Sequence, residues 1–283
     1  MDYFGVFMEG IIEDITLNLN KLSRFFKAIS TLFLCFISII SFNMAEIIGC
    51  NSGNLRGKSD IISNNVSSNS DKDIRGERGT ENELVVIIDP GHGGINPGKI
   101  GNNNVLEKNV NLSVALEIKK ILVKKNIKVI LTRESDCGLY RESDSNKKRS
   151  DLNKRCQIVN EQYINNKNTI CVSIHQNSYQ NESVSGPQVF YYTKSKNGEM
   201  LARTIQDEIN YKMQIQNKRK QKSNDNYYLL VNTMCPTVIV ECGFLSNVIE
   251  AEMLCDEKYQ QKIASSIVSG IKKYQKETRV CNQ

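Results

Sequence analysis

Two histidines occur in the whole chain, His92 and His175, and each stands where an apolar run gives way to small or polar residues. His92 follows Leu84-Val85-Val86-Ile87-Ile88-Asp89-Pro90-Gly91 and precedes Gly93-Gly94. His175 closes Ile170-Cys171-Val172-Ser173-Ile174 and precedes Gln176-Asn177-Ser178. Imidazole is the commonest protein ligand for zinc, and a residue this scarce, placed twice at strand-like ends, suits metal binding. Glu241 ends a third apolar run, Val238-Ile239-Val240. A carboxylate there is costly unless paired or functional. It is a candidate general base for hydrolysis or, equally on local sequence, a salt-bridged structural acid. A catalytic zinc needs a third ligand, and two His with one carboxylate is a known set that leaves the fourth position to water. Glu107, just after the Gly/Asn-rich stretch 98–104, is the best candidate. On composition alone, a first-turn acid favoured by the helix dipole is the stronger reading of it.

These side chains need a frame that brings them together. Strand-like patterns fall at 84–89, 128–132, 170–175, 188–192 and 237–241, and helical patterns at 107–125, 150–162, 198–211, 248–254 and 257–274. The first helix carries Val110, Val114, Ile118 and Ile121 on one stripe; the second is expected to be capped by Ser150 or Asp151. The alternation favours an α/β sheet with helices on both faces. Open sheets of this kind bind ligands beyond the carboxyl ends of their strands. If the strands run parallel, His92, His175 and Glu241 converge on one edge. Pro90-Gly91 and Gly93-Gly94 make a tight turn there that allows close approach to the backbone.

Four motifs then carry a family resemblance: Asp89-Pro90-Gly91-His92-Gly93-Gly94, Glu107-Lys108-Asn109-Val110-Asn111-Leu112, Ser173-Ile174-His175-Gln176-Asn177, and Val240-Glu241-Cys242-Gly243-Phe244-Leu245-Ser246-Asn247. In this order and spacing, over roughly 84–274, the chain resembles the zinc-dependent N-acetylmuramoyl-L-alanine amidases of bacterial cell walls. The resemblance implies a single α/β domain with a mostly parallel sheet of about six strands and flanking helices. It implies Zn²⁺ held by His92, Glu107 and His175, with Glu241 as the catalytic base, and peptidoglycan as the substrate. Gln176 stands where many members have Ala. With Asn226-Tyr227-Tyr228-Leu229-Leu230 it resembles the spore-cortex branch of endospore formers, which acts in making muramic-δ-lactam. That branch also makes an activating protein partner an expectation. The alternatives are a different zinc hydrolase of peptidoglycan, or a non-catalytic wall-binding or regulatory protein on the same fold.

The remaining chain bounds the setting. Lys21, Arg24 and Lys27 precede the apolar stretch 28–42, the charge-then-apolar order of an export signal and shorter than a comfortable membrane span of about 20 residues. Residues 1–50 are expected to be a signal or membrane anchor, giving export to the wall or the forespore intermembrane space. Cys50, after Ile47-Ile48-Gly49, is a candidate for lipidation, and Met8 is an alternative start. Residues 51–83, rich in Ser, Asn and Gly, are expected to form a flexible linker, 84–276 the catalytic domain and 277–283 a tail. The net charge of +6 is modest, and with no Trp and no Arg–aromatic interleaving the chain offers no base-stacking platform for nucleic acid. Lys218-Arg219-Lys220-Gln221-Lys222 is a solvated loop or a contact for an anionic partner. The nine cysteines contain no C-x-x-C pair and are expected to be mostly free thiols. Arg133 and Arg155 bind substrate carboxylates or are structural.

Overall fold

The computed structural model describes residues 83–101 and 104–281. The signal or anchor, Cys50, the alternative start and the linker lie outside them. Six strands form one sheet: β1 (Val85–Pro90), β2 (Lys128–Leu131), β3 (Thr169–Asn177), β4 (Gln188–Tyr191), β5 (Lys222–Ser223) and β6 (Thr237–Phe244). Their order is β2-β1-β3-β6-β4-β5. Strands β2, β1, β3 and β6 pair in parallel, and β4 alone runs antiparallel to its neighbour β6. The helices are α1 (Glu107–Val123), α2 (Lys147–Asn165), α3 (Lys196–Lys212), α4 (Tyr228–Asn232), α5 (Val248–Cys255) and α6 (Glu257–Cys281).

The continuous apolar runs become central parallel strands because both faces of the sheet are covered. Successive side chains of a strand point to opposite faces, and this parity sorts the core. Val86, Ile88, Val172, Ile174, Val238 and Val240 join α1, α3 and α6 in the main cluster. Ile87 and Cys171 pack instead with Cys156 and Val159 of α2 and Leu229 of α4. On the α1 stripe Val110, Val114 and Ile118 are buried and Ile121 packs partly buried against the same core.

Several elements differ from the sequence expectation. Helix α2 starts three residues earlier than its pattern: Asn146 is the N-cap, its side chain accepting from the Arg149 amide, and Ser150 and Asp151 lie inside the helix. Its first turn, Lys147-Lys148-Arg149, has no apolar residue to mark it. Strand β6 runs past Glu241 to Phe244 and β3 past His175 to Asn177, so both site residues are within strands rather than at their ends. The sixth strand is β5, two residues at the end of the basic 218–222 stretch, paired with Phe190 and Tyr191. Cys137, Cys156, Cys171, Cys235, Cys242 and Cys255 are free thiols.

Candidate active site

Three backbone devices bring the site together. First, β3 and β6 pair so that His175 stands directly beside Glu241, and the register then shifts before Asn177 meets Phe244. By strand parity both side chains fall on the face covered by α2 and α4. The irregularity is of the kind that re-aims side chains next to active sites. Second, the chain leaves β1 through Gly91 and enters the left-handed region at His92, φ 62°, an uncommon conformation for a residue with a β-carbon. Third, α1 begins at Glu107, whose amide bonds the Lys99 carbonyl while the Lys108 amide bonds that of Pro97. The helix start is thus docked onto the loop that follows His92.

The result is a tight cluster. Glu107 Oε1 lies 3.2 Å from His92 Nε2 and 3.0 Å from His175 Nδ1. The two imidazole rings meet edge to face with centroids 5.0 Å apart. One donor atom from each of the three residues falls within 4.8 Å of the others, a group able to hold a metal ion. Glycine is required where the backbone touches these side chains. A β-carbon on Gly91 would lie 2.2 Å from His175 Cε1, and one on Gly98 (φ 72°) 2.5 Å from Glu107 Oε2.

Glu107 is 4% exposed and is no ordinary first-turn acid. Oε1 accepts from the Gln176 amide at 3.1 Å and from Asn111 Nδ2 at 3.3 Å, and Oε2 from the Lys99 amide at 2.7 Å. Burial alone would raise its pKa, but the hydrogen bonds and charge of His175 and His92 outweigh this and hold it far below the usual carboxylate range. Burial likewise opposes a proton on His175, yet the adjoining Glu107 carboxylate raises its pKa. Asn111, one helical turn on from Glu107, also donates to the Gly91 carbonyl at 3.1 Å and accepts from Gln176 Nε2 at 3.1 Å. Residues i and i+4 share a helix face. The Glu107–Asn111 spacing was therefore the available signal for this bracing residue, which sequence reasoning missed.

Glu241 is 7% exposed. Burial is the main cause that pushes its carboxyl up to about 7; His175 and a hydrogen bond from Tyr227 oppose the rise and Glu107 adds to it. Tyr227, which caps α4, packs edge to face on Phe190 with ring centroids 5.4 Å apart. The same carboxylate raises the Tyr227 phenol to about 12, after burial as the larger cause. Sequence reading took Tyr227 only as part of a branch signature; nothing in the local pattern pointed it at Glu241. Three buried polar atoms of the site have no hydrogen-bond partner among the described residues: Glu241 Oε2, His92 Nδ1 and Gln176 Oε1. Such orphans are rare in folded proteins. With two imidazoles and one carboxylate as donors, they fit a site built for a metal ion and a reacting proton.

Arg133 and Arg155 are structural, buried at 3% and 2% exposure, and turned inward. Arg155 Nη1 reaches Asp89 Oδ1 at 2.6 Å and the Pro90 carbonyl at 2.8 Å, Nη2 the His92 carbonyl at 2.6 Å, and Nε reaches Asp151 at 2.6 Å. Arg133 donates to the carbonyls of Pro90, Gly91, Lys108 and Ser135. Thr132 and Ser173 complete the shell around Asp89 at 2.5 and 2.6 Å. Burial opposes ionisation of Asp89, but Arg155 and the two hydroxyls outweigh it and lower its pKa to about 2. The two guanidinium groups thus clamp the peptide carbonyls on either side of His92.

Fold and site together define a class: a mostly parallel α/β domain with a metal-competent His-Glu-His cluster and a buried carboxylate beside it at one edge of the sheet. Residues 86–273 match the family model for N-acetylmuramoyl-L-alanine amidase. The chain belongs to that family and is an amidase. It is 39% identical over 193 residues to the germination-specific N-acetylmuramoyl-L-alanine amidase of Bacillus subtilis, covering 67% of this chain and 79% of that protein. It is similar to the CwlD amidase from Clostridioides difficile, solved in complex with the GerS lipoprotein. There the TM-score is 0.64 and the identity 36%, over 69% of this chain and 99% of that one. The catalytic domain of CwlV from Bacillus (Paenibacillus) polymyxa var. colistinus matches with TM-score 0.59 and 28% identity, over 68% and 98% of the two chains.

Proposed function

We propose that this protein is a zinc-dependent amidase that cleaves the bond between the lactyl group of N-acetylmuramic acid and L-alanine, in the spore cortex on the way to muramic-δ-lactam. The observation that carries the chemistry is the His92-Glu107-His175 cluster with the unpartnered Oε2 of Glu241 close by. His92, Glu107 and His175 would hold the zinc ion, which when bound supplies a Lewis acid for the amide carbonyl and lowers the pKa of water. Glu241 Oε2 accepts the proton of the attacking water and returns it to the departing amine of L-alanine. Its raised pKa suits both transfers near neutral pH. The Tyr227 hydrogen bond orients the carboxylate, and Asn111 and Gln176 brace Glu107. The products are a glycan strand with a free lactyl carboxyl and a stem peptide with a free amino terminus.

The cortex assignment draws on the germination-specific relative and on the CwlD structure. That structure, a complex with a lipoprotein, also motivates a protein partner that activates this chain. We place the start of the catalytic domain at residue 84 and assign export to the N-terminal segment; at the other end α6 runs on through residues 277–281, expected from sequence to be a tail, so the domain extends to Cys281. Among the described residues no helix is long and apolar enough to cross a membrane. Mass spectrometry of defined muropeptides, digested with and without zinc, tests the reaction. Cleavage within the peptide, or removal of an acetyl group instead, overturns it. Glu241→Gln should bind zinc normally with turnover reduced by about two to four orders of magnitude, while His175→Ala should lose stoichiometric zinc.

A further inference from the structure

The end of the sheet opposite the site carries a second chemical feature. Strands β1 and β2 begin there, and two adjoining hollows of about 300 and 350 Å³ share Lys272, Gln275 and Arg279 in their walls. Glu83, Leu84, Lys125, Asn126 and Ile127 complete the first hollow; Lys276 and Val280 complete the second. Four cations thus face one carboxylate, and all four are exposed. Glu277, on the same helix, is engaged elsewhere, with Arg203. Among the described residues none of the four cations has an ion-pair partner. Lys272, Lys276 and Arg279 recur at i, i+4 and i+7, so they form one stripe of α6. Val280, 66% exposed, stands with the cations in the wall of the second hollow, and Val123, 52% exposed, ends α1 two residues before Lys125.

We propose that this face is a docking surface for anionic phospholipid headgroups. Unpaired cations mixed with exposed apolar side chains are the composition that binds a charged membrane interface. The chain also enters the fold at this face, at Glu83, and 82 residues precede it, among them the apolar stretch 28–42. A domain seated here turns the opposite edge, with His92, Glu107, His175 and Glu241, away from the lipid and toward the wall. This contact adds to the export or anchor reading of the N-terminal segment and does not require it.

Lysine acetylation footprinting of the full chain tests the surface, on phosphatidylcholine vesicles and on the same vesicles with about a third phosphatidylglycerol. Neutral vesicles report the N-terminal segment alone, and the difference between the two reports the face. Lys125, Lys272 and Lys276 should be labelled about fivefold less on the anionic vesicles, with the protection lost in high salt. Lys99, beside the site, should be unchanged. The triple variant Lys272→Glu/Lys276→Glu/Arg279→Glu should lose the protection at Lys125 while turning over soluble muropeptides at the parental rate. Equal protection on neutral vesicles, protection of Lys99 instead, or protection by isolated wall sacculi in place of anionic vesicles each overturns the proposal. Protection on anionic vesicles without any binding to neutral ones upholds the face and refutes the anchor.

Discussion

Replacing Gly91 by alanine tests whether the backbone around His92 is built to seat His175. The added carbon would lie 2.2 Å from His175 Cε1, 2.3 Å from Nε2 and 2.7 Å from Nδ1. Carbon atoms in ordinary contact sit about 3.5–4.0 Å apart, so the two groups must separate by about 1.3 Å or more. The backbone cannot retreat. The Gly91 amide is bonded to the Ile174 carbonyl at 2.9 Å, and its own carbonyl is held by Asn111 at 3.1 Å and Arg133 at 3.0 Å. The ring must therefore leave the place where its Nδ1 lies 3.0 Å from Glu107 Oε1. Metal and catalytic sites tolerate displacements of about 0.5 Å, and a misplacement of about 1 Å costs on the order of a hundredfold in rate. We expect Gly91→Ala to fold with a loss of about 1–3 kcal/mol from local overpacking. Its zinc affinity and its muropeptide turnover should each fall at least about a hundredfold. Thermal unfolding checks the first quantity, chelator competition the second and product mass spectrometry the third. Parental zinc affinity together with parental turnover in folded Gly91→Ala would refute the reasoning.

Three further substitutions probe the parts separately. Arg155→Met removes the guanidinium from a buried pair with Asp89 and from the His92 carbonyl; it should cost about 3–5 kcal/mol in denaturant unfolding and weaken zinc binding in the fraction that folds. The Asp89 pKa is lowered from 3.8 to about 2, so its stabilising contribution is complete above pH about 4 and disappears as pH falls toward 2. That contribution is about 2 kcal/mol, and Asp89→Asn should make acid unfolding in this window shallower, as read by circular dichroism against pH. Tyr227→Phe keeps the stacking on Phe190 but deletes the hydrogen bond to Glu241; turnover should fall about tenfold, the worth of one such bond, with zinc content unchanged.

The sequence exposed this site as far as chemistry leaves a mark on local pattern. The apolar runs before His92 and through His175 and Glu241 could be read because central strands of a two-faced sheet admit little else. Glu107 could not be separated from an ordinary helix-start acid by composition. The four motifs together single it out, and in the structure its carboxylate lies between the two imidazoles instead of facing solvent at the helix terminus. What sequence left open depends on partners distant along the chain. Arg133 and Arg155 were ambiguous between substrate binding and structure because a guanidinium serves either purpose. Only the fold brings Arg155 to Asp89, 66 positions away. Strand β5 was missed because two residues, Lys222–Ser223, pair with the sheet through backbone alone and so leave no hydrophobic alternation to read. The cap of α2 was misplaced for a related reason. Asn146 holds the Arg149 amide with its side chain, but the exposed first turn lacks the apolar periodicity that announces a helix. The features hidden from sequence, the Arg155 clamp and the Tyr227 contact, are those that position the reactive groups. Reactive residue types could be read along the chain, whereas the second layer that fixes their geometry is specified by tertiary contacts between ordinary-looking polar residues.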